Sequence, residues 1–135
     1  MIRIVAIALV LAAALASCAT APPPPAPSSV ASLYQRPGER ALILGLAQYE
    51  QAAFDRAEQS FRAALKAGLT EPQDVATAHK YLAFISCAFN RIDECERNFR
   101  AAFAADDKFA LTSAEAGHPM WGPVFRRVAA ERGKK

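Results

Sequence analysis

Five side chains in this chain have chemistry beyond simple charge: the thiols of Cys18, Cys87 and Cys95, and the imidazoles of His79 and His118. A thiol can be acylated, oxidised to a disulfide, or deprotonated to hold a metal. An imidazole can move a proton or ligate a metal. The histidines lie far apart in the chain, and a metal bound by both would need further ligands that the sequence does not place beside them, so no metal site is expected. His79 falls on a helical framework position, where packing is its expected role, and His118 precedes Pro119, a setting for a local hydrogen bond. No Gly-rich phosphate loop, no Gly-x-Ser-x-Gly and no carboxylate pair poised for proton transfer is found. The expectation is a protein that is not an enzyme, with no cofactor and no small-molecule substrate.

Cys18 stands where the N-terminal segment changes character. Met1-Ile2-Arg3 is a minimal basic start, and Ile4 to Leu15 is an unbroken apolar run. That run has the length of a signal-peptide core and falls short of the roughly 18–20 residues that span a bilayer. It ends in Leu15-Ala16-Ser17-Cys18, which resembles the lipobox of bacterial lipoproteins. The resemblance implies a signal peptide over residues 1–17 and a mature chain that begins at a diacylglycerol-modified Cys18. The other reading is an ordinary secretory signal with an incidental cysteine. Several acyl chains hold a protein on a membrane where one does so only marginally. Ala19, in place of the aspartate that usually retains lipoproteins at the inner membrane, implies delivery to the outer membrane, facing the periplasm.

Residues 18–37 continue as a linker containing Pro22-Pro23-Pro24-Pro25-Ala26-Pro27. Proline fixes φ and lacks an N–H, so this stretch favours polyproline II and serves as a semi-rigid spacer. Without residues 1–17 the chain carries 15 basic and 13 acidic residues, too even a balance for a nucleic-acid partner. Arg126, Arg127, Arg132, Lys134 and Lys135 gather at the C-terminus, either as a solvated helix face or as a contact for anionic lipid or glycan. Residues 38–135 suffice for one small domain with one core.

An internal repeat organises that domain. Phe61-Arg62-Ala63-Ala64-Leu65 returns 38 residues later as Phe99-Arg100-Ala101-Ala102-Phe103. Leu44-Gly45, Phe54-Asp55 and Ala57 precede the first copy, and Leu82-Ala83, Ile92-Asp93 and Cys95 precede the second at the same offsets. The frame resembles the tetratricopeptide repeat, with four extra residues in Thr70-Glu71-Pro72-Gln73. Independently, Ala57, Phe61, Ala64 and Leu65 make one apolar helical stripe opposite Asp55, Arg56, Glu58, Arg62 and Lys66. Cys95, Phe99, Ala102 and Phe103 do the same opposite Glu94, Glu96, Arg97 and Arg100. Small residues at Gly45, Ala57, Ala83 and Cys95 permit close approach within each hairpin. The expected fold is all-α: two tetratricopeptide-like helical hairpins plus a C-terminal capping helix.

Punctuation adds detail. Gly68 is expected to end a helix in the left-handed conformation, Thr70 and Gln73 to form a capping box with Pro72 in the first turn, and Asn90-Arg91 to make the second hairpin's turn. Thr112-Ser113-Ala114-Glu115 reads as another capping box closed by Gly117. Pro123 can start a helix with Val124, Phe125, Val128 and Ala129 inward, and Trp121 is expected to pack on the last repeat.

Export predicts an oxidising compartment, which leaves Cys87 and Cys95 as a pair once Cys18 is lipidated. On one straight helix they would lie about 12 Å apart, outside disulfide reach. In a hairpin turning near Asn90 they face each other, as a disulfide or as two buried thiols. In tetratricopeptide proteins the first helix of each hairpin lines a concave groove. Carried onto this chain, the resemblance implies groove positions Glu39, Leu42, Leu46, Tyr49 and Glu50, then Thr77, Lys80, Phe84, Cys87 and Ala88. Glu39 and Lys80 would be polar edges and Leu46, Tyr49 and Phe84 an apolar floor for a peptide. Alternatively the C-terminal segment fills the groove and these residues are core.

A second resemblance covers roughly residues 70–126 and the lipobox. His79-Lys80-Tyr81-Leu82-Ala83-Phe84-Ile85, the Cys87…Cys95 spacing, and the segment Ala114 to Phe125 with its Gly117-His118-Pro119-Met120-Trp121-Gly122-Pro123 core are similar to TssQ-type lipoproteins associated with type VI secretion. This implies an outer-membrane-anchored adaptor whose partners are the membrane, through its lipid, and envelope proteins of that apparatus. Two other functions fit the same features: a pilotin-like or assembly lipoprotein of another envelope machine, or a glycan-binding structural lipoprotein using the basic tail.

Overall fold

Each apolar stripe becomes the inner face of a helix. A computed structural model describes residues 36–133, so Cys18, the expected signal peptide over residues 1–17, the Pro22–Pro27 stretch, Lys134 and Lys135 lie outside the described residues. The elements are α1 (Pro37–Glu50), α2 (Phe54–Ala67), α3 (Pro72–Ala88), α4 (Ile92–Ala105), the single turn α5 (Ser113–Ala116) and α6 (Gly122–Arg132). The fold is all-α. No helix among the described residues is long and apolar enough to cross a membrane. Pro37, placed at the end of the linker by composition, is the first residue of α1, where its fixed φ is compatible with a helix start.

Helices α1–α2 and α3–α4 are two hairpins joined by three-residue turns built to one pattern. Ala52 N–H donates to the Tyr49 carbonyl at 2.9 Å and Ala53 N–H to the Gln48 carbonyl at 2.9 Å. Thirty-eight residues on, Asn90 N–H donates to Cys87 at 3.1 Å and Arg91 N–H to Ser86 at 2.8 Å. These paired bonds form the helix-ending motif that needs a left-handed residue at its centre, and the central residues Ala52 and Asn90 have φ of 57° and 59°. Asparagine tolerates that conformation, whereas an alanine Cβ crowds the following carbonyl. Ala52→Gly is therefore expected to stabilise the domain by about 0.5–1 kcal/mol, read as a raised urea midpoint, while Asn90→Ala lowers it by a similar amount.

Within the first hairpin the close approach is made at Gly45, where a Cβ would lie 2.7 Å from the Phe61 ring. Two hydrophobic clusters result. The first joins Leu42, Ala57, Phe61 and Ala64 to Ala78, Leu82 and Ile85 of α3. The second joins Ala83, Phe84, Cys87, Cys95, Phe99 and Phe103 to Val124 and Val128 of α6. Helix α3 feeds both, which is why its residues from Leu82 to Cys87 are buried all round. Helix α6 packs on α4 through the predicted Val124 and Val128 stripe and closes the C-terminal end.

Two local expectations are corrected. Thr70 does not cap α3: the N-cap is Glu71, with no side-chain cap bond, because Pro72 holds the first helical position and starts the helix one residue later. Thr70 N–H instead donates to Glu39 Oε1 at 3.4 Å. Gly68 has φ 90° but ψ 123°, so the chain leaves α2 extended instead of curling through the left-handed helical region. The other box forms as expected, with Glu115 N–H donating to Thr112 Oγ1 at 3.2 Å and Thr112 N–H to Glu115 Oε2 at 2.9 Å.

A ladder of ion pairs links α2, α4 and α6. Glu58 accepts from Arg62 at 2.7 Å and from Arg91 at 2.7 Å. Arg62 and Arg91 also bond Glu94. One repeat on, Glu96 accepts from Arg100 and Arg127, and Arg100 reaches Glu131 at 3.0 Å. The Arg91 hydrogen bonds, then those of Arg62, overcome partial burial and hold the Glu58 carboxyl down to about 2, against an ordinary 4.5. A carboxyl depressed on folding stabilises fully above its unfolded pKa, and that stabilisation is lost as pH falls towards about 2. Both arginines are well exposed, so screening limits the effect to about 1 kcal/mol. Glu58→Gln should flatten the urea stability profile between pH 4.5 and pH 2 by that amount; an unchanged profile would remove Glu58 from the acid response.

Candidate functional site: a groove closed by the C-terminal segment

Most of the groove-facing side of α1 and α3 is occupied. Phe84 is buried, with the Trp121 ring stacked on it at 4.2 Å between centroids. Trp121 is fixed from behind: its indole N–H donates to the Glu115 carbonyl at 2.8 Å, and His118 stacks on its other face at 3.5 Å. His118 Nδ1 accepts from Met120 N–H at 3.3 Å, the local bond its place before Pro119 suggested. Lys80 Nζ donates to Glu115 Oε1 at 2.8 Å and lies 4.8 Å over the Tyr81 ring. The short helix α5 and the segment through Trp121 thus seal the α3 half of the groove, using one aromatic stack and one ion pair.

The α1 half divides differently. Leu42 is not a groove residue: it is buried in the first core cluster against α2 and α3. Glu39 is buried too, and its Oε1 accepts from Arg36 at 3.1 Å and from the Thr70 amide, which pins the start of α1 to the loop before α3. Leu46 and Tyr49 remain half-buried. Tyr49 meets the Tyr81 ring edge-on at 4.7 Å and Phe54 at 5.3 Å. Burial, then the neighbouring Tyr81 and Glu115, push its hydroxyl pKa up, so it stays neutral. Glu50 and Ala88 are exposed and Thr77 is partly so.

Cys87 and Cys95 are bonded to each other, with Cα atoms 5.2 Å apart across the α3–α4 turn. Both are buried in the second cluster, so Cys87 is a core residue and not groove lining. His79 lies on the other side of α3, with Nδ1 2.9 Å from Asn98 Oδ1, and Asn98 donates onward to the Glu94 carbonyl at 3.0 Å. It ties α3 to α4 and shares no site with His118.

Arg126, Arg127 and Arg132 of the basic tail are likewise engaged within the molecule. Arg126 donates to the Ala116 carbonyl at 2.9 Å, Arg127 bonds Glu96, and Arg132 lies 4.5 Å over the Phe103 ring. Among the described residues the open apolar surface is elsewhere, at Ile43 and Leu44 on the outer side of α1, with Phe89 and Met120 as isolated exposures. The clue to the α1 surface was present in the repeat, because Leu44 and Leu82 occupy one position in the frame and, among the described residues, a hairpin precedes only Leu82.

No family model matches the chain, and no curated protein or solved structure matches it. The repeat therefore rests on its internal period and on the equivalent turns and ion pairs described above.

Proposed function

We propose that this chain is a lipid-anchored adaptor of the bacterial outer membrane, facing the periplasm, and an accessory part of a type VI secretion apparatus. The observation that carries the anchoring is Leu15-Ala16-Ser17-Cys18 at the end of the apolar run from Ile4 to Leu15, followed by a proline-rich spacer and then a folded repeat domain from residue 37. A disulfide inside that domain is in keeping with an oxidising compartment. The adaptor role is supported by architecture: stacked helical hairpins bind partners through surfaces shared among repeats. The secretion assignment is supported by the Gly117 to Pro123 segment, whose Trp121 and His118 build the groove seal. A pilotin-like role for another machine uses the same anchor, and a glycan-binding role would draw on Arg126, Arg127 and Arg132, which are exposed but already bond the Ala116 carbonyl and Glu96 or lie over the Phe103 ring.

In a cell that has the apparatus, deleting this gene is expected to reduce cargo release. The wild-type gene restores it and a Cys18→Ala copy does not. Undiminished release from the deletion strain would remove the secretion assignment and leave the adaptor without its machine.

A further inference from the structure

The 38-residue period sets an expectation for every surface of α1, because α3 shows how the same surface is used when a hairpin precedes it. Ala78, Leu82 and Ile85 of α3 pack against Ala57, Phe61 and Ala64 of α2. Their equivalents on α1 are Arg40, Leu44 and Ala47. Leu82 is 2% exposed and Leu44 is 52% exposed. Tyr81, stacked on Phe61 at 5.4 Å, corresponds to Ile43, which is 45% exposed. The C-terminal end of the stack is closed by α6, whose outer side presents Arg126 and Arg127. The N-terminal end, among the described residues, presents a copy of an interface whose other half is missing.

Charge narrows what fits there. On α4, Glu94 accepts from Arg62 of the preceding hairpin. Its equivalent on α2 is Arg56, a cation where the second copy has an acid. Arg40 replaces the buried Ala78 at the centre of the same face. Neither Arg40 nor Arg56 is ion-paired among the described residues. A helix seated as α2 sits on α3 would bring an apolar stripe onto Ile43 and Leu44 and its own flank onto these two arginines. A second copy in head-to-tail stacking cannot supply it, since the α4 face that would do so is already covered by α6.

We propose that the open face of α1 is the docking surface for one amphipathic helix of a partner protein, with a small-aromatic-small stripe like that of α2 and an acidic flank that pairs with Arg40 and Arg56. This rests on the adaptor reading and names its contact surface, moving it from the sealed groove to the end of the stack.

The test uses the full lipoprotein in phosphatidylcholine nanodiscs and a fluorescent synthetic helix carrying the Ala-x3-Phe-x2-Ala spacing of α2 with glutamates on its flank. Fluorescence anisotropy should show saturable binding absent from empty discs. Leu44→Ser should weaken it at least about tenfold, because an exposed leucine loses its burial in the complex. Arg40→Gln with Arg56→Gln should weaken it about tenfold and remove its salt dependence. Both residues are exposed, and unchanged melting of the variants verifies the fold. Binding that ignores Leu44→Ser, or no binding at millimolar helix, overturns the proposal. So does tighter binding once residues 19–33 are deleted, which would make the chain's own segment the occupant, or a dimer in sedimentation that Leu44→Ser dissolves. Each of these leaves the secretion phenotype of the deletion strain untouched, so failure here is distinct from failure of the function itself.

Discussion

Phe84→Ala is expected to cost about 3–4 kcal/mol of stability, because it empties a buried site between Trp121, Phe99 and Tyr81 that the surrounding helices cannot collapse to fill. In an open groove the same change would abolish binding and leave the melt nearly untouched. The two outcomes are separated by urea denaturation followed by circular dichroism. Tyr49→Ala should cost less, since Tyr49 is only half-buried. Trp121→Ala supplies the complementary case: it should destabilise by removing the stacked lid and its hydrogen bond to the Glu115 carbonyl. A Phe84→Ala protein with the wild-type urea midpoint would mean that the C-terminal segment does not seal the groove.

The second large effect belongs to the disulfide. Closing the short loop between Cys87 and Cys95 stabilises by roughly 2–3 kcal/mol on the chain-entropy model. For a domain of about 100 residues this amounts to a fall in Tm of roughly 10–20 °C on reduction. The Cys87→Ala, Cys95→Ala double variant should melt near the reduced wild type and be indifferent to dithiothreitol. Equal melting of wild-type protein with and without reductant would show that the bond contributes nothing to the fold.

The parts of the molecule legible in its sequence are those with a local cause. Helical periodicity around Phe61 and Phe99 placed α2 and α4, and Thr112 with Glu115 placed a capping box. Asn90-Arg91 marked the second hairpin's turn, and the structure puts Asn90 there with a φ of 59°. What escaped depends on contacts between distant segments. Lys80 and Glu115 are 35 residues apart, and nothing near either residue announces their ion pair. Groove positions carried over from longer arrays assume an open concave face, and here α5 and Trp121 occupy it. Leu42 turned inward because α1 packs towards α2 and α3. Thr70 failed as a cap because Pro72 moved the helix start by one residue.

Leu44 shows how a repeat can report a missing neighbour. A single exposed leucine is unremarkable on a protein surface. The same leucine carries information when its equivalent 38 residues later is buried by the hairpin before it. The stack is thus asymmetric, closed by α6 at one end and apolar with two unpaired arginines among the described residues at the other.

The most direct measurement of the whole account is mass spectrometry of the protein extracted from membranes. The account predicts a chain that starts at residue 18 and carries diacylglycerol and acyl mass on Cys18, with a Cys18→Ala version that is unprocessed and lacks that mass. A mature chain that starts elsewhere, or an unmodified Cys18 on protein that still fractionates with the outer membrane, would contradict it.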